Sequence, residues 1–253
     1  MYIVKNRARL IKLKDSFSSE PRVDADSKLT NEELRKISLG NLYVYQQNGT
    51  LNTLSTGVNE TVLDTILTEY WDITDRDSAI STLSYLMHTP SVYPFVCASK
   101  AFVIGGEEGK KWMETQLMES FEGTEGHEEG KKELLERCHE MLGYLEENYE
   151  FFKDLKWLDS KEDMEKLGIL AWDAGRLNFV ARACMDKKLI SKEECMECVE
   201  HAYELTREAY ADWTGFAHSY VIGRSLWNGS TNMWGLADDL LENKESPWTY
   251  VAW

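Results

Sequence analysis

Residues 167–184, LGILAWDAGRLNFVARAC, run for about five helical turns with only Asp173, Arg176, Asn178 and Arg182 charged or strongly polar. A helix that is apolar on nearly every side has no face left for water, so the rest of the chain must pack around it. Its polar exceptions then need partners. At helical spacing Asp173 shares a face with Leu177, Val180 and Cys184, where an unpaired carboxylate is costly. Arg176, three residues on, is placed to donate two parallel hydrogen bonds to it. The pair reads either as an internal ion pair that ties helices together or as a charged ligand clamp or acid/base group in a low-dielectric pocket. The first reading is preferred.

The remaining sequence supports the same class of fold. Only 4 prolines occur in 253 residues, and long stretches carry apolar residues at helical spacing without a breaker, which favours helices over short strands and turns. The expectation is an all-α fold, an irregular multi-helix domain around a buried central helix at about 167–184. Thr30 followed by Glu33 forms a capping box opening a helix to about Tyr45, and Ser191 followed by Glu194 opens another to about Tyr210. Further helices are expected near 60–72, 75–87 (with Thr74 as its cap and Asp77 three residues on), 95–104, 107–121, 127–155, 213–227 and 231–242. A loop is expected at 47–57, and a Gly- and Glu-rich break at 122–126. The resulting organisation is a basic arm and linker at 1–29, a single helical domain at 30–242 and an aromatic tail at 243–253.

A second apolar helix, at 216–227, is punctuated by His218 and Arg224 and carries Gly223 where a side chain would ordinarily pack. Glycine inside a helix costs about 1 kcal/mol relative to alanine, so Gly223 marks the close approach of a neighbouring helix. Arg224 beside that contact is expected to share a polar cluster with Asp173 or Asp72. Trp71-Asp72 with Arg76 echoes Trp172-Asp173 with Arg176, but the spacings and flanks differ too much for a duplication.

The net charge is −16, although Lys5, Arg7, Arg9, Lys12 and Lys14 fall in the first fourteen residues without an acid. That balance excludes a binder of duplex nucleic acid, which needs a basic face for phosphates, and leaves a basic protein as the expected class of partner. The N-terminal stretch never reaches the continuous apolar run of an export signal. No later segment approaches the roughly 18 charge-free apolar residues of a membrane helix. The 5 cysteines are odd in number and irregularly spaced, as expected of reduced thiols in a cytoplasmic protein. Oligomeric state is not legible.

Motifs of chemistry are incomplete. Cys195-Met-Glu-Cys198 with His201 aligns on one helical face, but a structural zinc needs four ligands. Glu136-x-x-His139 is half of a di-iron pattern that needs two copies and two further glutamates. His127-Glu128 and His139-Glu140 lack the second histidine of a zincin, and no nucleophile elbow, phosphate-binding loop or calcium loop occurs. No metal, no cofactor and no catalytic residue is expected. The tail places Trp248, Tyr250 and Trp253 beyond Pro247. They either dock on their own domain or serve as anchors for a partner, where Trp and Tyr are favoured.

Trp71-Asp72-Ile73 with Arg76, Ala171-Trp172-Asp173-x-Gly175-Arg176 with Arg182, Ile190-Ser191-x-x-Glu194, and Trp213 with Tyr220-x-x-Gly223-Arg224 together resemble the bacterial domain-of-unknown-function family number 1266, over roughly 66–228. The resemblance implies a cytoplasmic helical domain and supplies no reaction and no catalytic residue. Cys195 stands where the resemblance leads one to expect a small residue such as alanine, which weakens a general metal role for that thiol.

Two functional expectations follow. The leading one is a non-enzymatic protein-binding module whose acidic surface and aromatic tail engage another protein, of the kind in which an immunity protein neutralises a basic toxin or effector. The alternative is an enzyme or small-ligand sensor with a polar pocket around Asp72, Asp173, Arg176 and Arg224. The candidate residues of a ligand site or structural polar cluster are therefore Trp71, Asp72, Arg76, Trp172, Asp173, Arg176, Tyr220 and Arg224.

Overall fold

The computed structural model describes residues 20–120 and 128–253. The expected arm at 1–19 and the break at 122–126 lie outside the described residues. Among those described, the fold is all-α: no strand forms, and the nearest approach to one is a single bridge between Arg22 and Thr50.

The helices begin where side chains can cap them. Thr30 caps α1 (Asn31–Ile37) in the expected box with Glu33. A 3-10 turn at Ser38–Gly40 then separates α1 from α2 (Asn41–Gln46), so the single helix expected from Thr30 to Tyr45 is two. The segment expected as one helix at 60–72 is α3 (Glu60–Thr65) continued by a π turn, Ile66–Tyr70. The cap of α4 (Arg76–Met87) is Asp75, paired with Ser78, and not Thr74 with Asp77. An aspartate accepts the N3 backbone N–H as a charged acceptor and wins that position from its neighbour.

Next come α5 (Val92–Ile104), α6 (Gly106–Ser120), α7 (Glu128–Asp154), α8 (Lys161–Leu167), α9 (Leu170–Asp186), α10 (Lys192–Thr206), α11 (Trp213–Asn228), α12 (Trp234–Glu242) and the short α13 (Pro247–Tyr250). Helix α5 starts earlier than expected because Pro94 falls in its first turn, where the missing N–H has no intrahelical partner to lose. Helix α8 was not expected, although Ser160 and Asp163 form a full capping box before it. Ser191 and Glu194 cap α10 as expected.

The described residues form two compact units, neither contiguous in sequence. The first comprises residues 20–89 with Asp173–Ala217 and Asn232–Trp253; the second comprises Pro90–Trp172, less the undescribed stretch, with His218–Thr231. Helix α9 thus gives its first three residues to the second unit and the remainder to the first, and it is the most thoroughly buried helix, as the sequence led us to expect. In the second unit α5 packs chiefly on α6 and α7, and α7 turns Cys138, Met141, Leu142, Leu145, Tyr149 and Phe152 inward.

The tail at 243–253 belongs to the first unit. Trp248 is only 5% exposed, stacks on Trp213 with ring centres 5.2 Å apart and donates its indole N–H to the Ser38 carbonyl at 3.0 Å. Trp213 in turn donates to the Val251 carbonyl at 2.8 Å. Of the proposed anchors, Trp248 is therefore core. Trp253 packs edge-on against Trp213, and Tyr250 is left 50% exposed. No described helix is long and apolar enough to cross a membrane.

Candidate functional site

Asp173 and Arg176 lie one turn apart on α9, in the first unit, and are 0% and 4% exposed. The Arg176 guanidinium donates to the Asp173 carboxylate in a close ion pair. The same guanidinium lies 5.7 Å from the centre of the Trp71 ring, a cation over an aromatic face. Trp71 is delivered by the π turn Ile66–Tyr70, and the residue after it, Asp72, has a left-handed backbone with φ of 52° and an exposed side chain. The ring is steadied further: Trp71 donates its indole N–H towards the Tyr43 hydroxyl at 3.5 Å, and Tyr43 stacks on Phe179 with centres 3.9 Å apart. Nearby in the same unit, the Tyr45 hydroxyl donates to Asp239.

Arg76 is part of a different contact. Its guanidinium spans the Glu194 carboxylate and also reaches the Leu189 carbonyl at 3.3 Å. Glu194 simultaneously accepts the Ser191 N–H of its capping box. The Arg76 hydrogen bonds first, and the Ser191 backbone second, hold the Glu194 carboxyl down at about 2. The start of α4 is thereby fastened to the start of α10.

Trp172, Tyr220 and Arg224 come together in the second unit. Tyr220, Gly223 and Arg224 share one face of α11, and Trp172 fits into it. The Tyr220 ring meets Trp172 edge-on at 5.2 Å, and the Arg224 guanidinium lies 5.8 Å from the Trp172 ring centre. A β-carbon built on Gly223 would stand 2.4 Å from that of Trp172 and 3.1 Å from that of Ile169. Arg224 donates to Asn228 at 2.6 Å, one turn along its own helix, in place of the aspartate expected from the sequence.

Arg182 is fully buried and larger in consequence than the sequence suggested. It donates to the carbonyls of Leu54, Ile37 and Thr53 at 3.0, 3.0 and 2.9 Å. Desolvation brings its pKa down to about 10, so it remains a cation at neutral pH. Its role is to gather the loop at 47–57 and the end of α1 onto α9. The loop is held at a second point by Asp186, which accepts from the Thr56 N–H and hydroxyl at 2.8 and 2.6 Å.

The thiols of Cys195 and Cys198 are buried in α10, where desolvation pushes them up to about 12 and about 11, and Cys184 likewise rises to about 12. Such thiols remain protonated at neutral pH and make poor metal ligands. The His201 ring lies 3.1 Å from the Met87 carbonyl, and among the described residues no group of three His, Cys, Asp or Glu side chains is arranged to hold a metal.

No curated protein and no solved structure matches the chain. The family described as protein of unknown function DUF1266 matches it over residues 66–253, past the 66–228 span of the resemblance and through the docked tail. With most of its length matched by that family, the chain belongs to DUF1266.

Proposed function

We propose that this protein acts in the cytoplasm as a non-enzymatic binding module whose acidic surface engages a basic protein, a toxin or effector held in an immunity-type pairing. The observation that carries this reading is the outer face of α7. Glu129, Glu133, Glu136, Glu140, Glu147, Glu150 and Asp154 all lie exposed on that helix. Their spacings of three, four and seven residues place them in one stripe along about 40 Å of helix. The neighbouring Lys132 and Arg137 reach Glu136 and Glu140 at 3.7 and 3.4 Å, pairs too exposed to neutralise the stripe with much energy. Such a face attracts a basic partner at long range and discriminates against acidic ones. The Asp173–Arg176 pair accords with the same reading, because both charges are buried and paired inside the fold. The free state of all five cysteines accords with a reducing compartment.

A second reading, an enzyme or small-ligand sensor, is favoured by one specific feature. A π turn followed by a left-handed non-glycine residue is a costly local arrangement, of order 1–3 kcal/mol for the left-handed residue, and such arrangements cluster at functional sites. Here it places Trp71 against Arg176 and leaves Asp72 exposed. Capture of the full-length protein from its native cell, with mass spectrometry of both proteins and small molecules, separates the readings. A reproducible basic protein supports the first; a retained metabolite with no protein partner supports the second and contradicts the first.

A further inference from the structure

Cys97 and Cys138 set themselves apart from the other three cysteines. They lie on α5 and α7, the most closely packed helices of the second unit, and both are buried. The Cys138 sulfur sits 3.8 Å from the Pro94 carbonyl, which lies one turn below Cys97 on α5, so the two side chains meet at the same level of the interface. Cys138 is the strongest single influence on the Cys97 thiol, and Tyr93, one turn away, is a second. Tyr93 is 46% exposed, and Cys97 itself is 4% exposed against 0% for Cys138.

We propose that Cys97 and Cys138 are an oxidation site, closed to a disulfide between α5 and α7 by a peroxide. In the first step the Cys97 thiolate attacks one peroxide oxygen, the O–O bond breaks, and the departing hydroxide takes up a proton to leave as water. Cys97 becomes a sulfenic acid. In the second step the Cys138 sulfur attacks the Cys97 sulfur, the S–O bond breaks, and the hydroxide leaves as water with the Cys138 proton. Two thiols and one hydrogen peroxide thus give one disulfide and two waters, with the two electrons passing from sulfur to oxygen.

The order of the steps follows from electrostatics. The hydrogen bond from Cys138 is the main cause that brings Cys97 down to about 7, and the same interaction raises Cys138, because the pair resists a second negative charge. Cys97 is therefore the nucleophile towards peroxide. Once it is a neutral sulfenic acid, the charge that held the Cys138 proton is gone, and Cys138 becomes able to resolve it. For Cys184, Cys195 and Cys198 burial is the largest effect, and it keeps them protonated.

The test treats the full-length protein with hydrogen peroxide, quenches with an alkylating agent under denaturing conditions and maps the peptides by mass. The expected result is loss of two of the five alkylatable thiols, with a Cys97–Cys138 cross-linked peptide, 2 Da lighter than the two reduced peptides combined, as the product. The link encloses a loop of about forty residues and is expected to raise Tm by roughly 5–10 °C. Cys138→Ala is expected to leave Cys97 as a sulfenic acid trapped by a dione reagent, and Cys184→Ala to cross-link as the wild type does. Five alkylatable thiols after treatment, or a link among Cys184, Cys195 and Cys198, would overturn the proposal on the wild-type protein alone.

Discussion

Gly223 on α11 lies so close to Trp172 that a β-carbon there would stand 2.4 Å from the Trp172 β-carbon. The Tyr-x-x-Gly-Arg element is therefore a socket: Tyr220 meets the indole edge-on, Gly223 admits it and Arg224 lies over its ring. Gly223→Ala is expected to destabilise the protein by roughly 1–3 kcal/mol through overpacking, read as a lower urea midpoint. Gly143 on α7 supplies the control, since nothing stands within 4 Å of a β-carbon there. Gly143→Ala should stabilise by up to about 1 kcal/mol.

Breaking the buried pair takes an ion-pair partner from a charge held away from water. Asp173→Asn and Arg176→Met are each expected to cost about 3–5 kcal/mol, whereas a double variant carrying Asp173→Leu and Arg176→Met should recover most of the loss. Denaturant unfolding of the three proteins checks this. Reversal of charge at Asp173 with fold and stability unchanged would contradict a structural role for the pair.

Arg76 and Glu194 predict a pH effect with a definite sign. Because Glu194 titrates at about 2 in the folded protein and near 4.3 when unfolded, its contribution is present above the unfolded value and is lost as pH falls towards about 2. In Arg76→Ala the carboxyl should titrate higher, though still below its ordinary value because Ser191 continues to donate to it. Carbon-detected NMR titration of the Glu194 carboxyl follows both.

The outcome at the C-terminus depends on Trp248, which fills the core between Trp213 and the Ser38 carbonyl. Trp248→Ala is expected to cost about 3–5 kcal/mol, and deletion of residues 246–253 should lower Tm at least as far. Tyr250→Ala, at a half-exposed position, should leave Tm nearly unchanged.

These residues also explain what could be read in advance. The burial of α9, the capping boxes at Thr30 and Ser191, and the close approach at Gly223 follow from local rules: apolar periodicity, side-chain reach over three residues, and the cost of glycine in a helix. Arg182 was harder, because it is satisfied by backbone carbonyls more than a hundred residues away, and any residue type supplies a carbonyl. Asp75 displaced Thr74 as a cap because both are competent and adjacent, so composition does not choose between them. The π turn before Trp71 has no sequence signature of its own. Arg76 and Arg224 stand out in the sequence but their partners do not: Glu194 is distant in sequence, and Asn228 is an ordinary helix neighbour.

The exposed carboxylates of α7 carry the functional proposal, and they can be reversed without touching the core. A full-length variant with Glu133→Lys, Glu136→Lys, Glu147→Lys and Glu150→Lys should keep the wild-type circular dichroism and a Tm within a few degrees, since exposed positions contribute little to stability. The most direct measurement is capture from the native cell with this variant beside the wild type. The predicted result is a basic protein bound by the wild type, weakened by salt and lost from the variant; equal capture of the same protein by both would contradict the account.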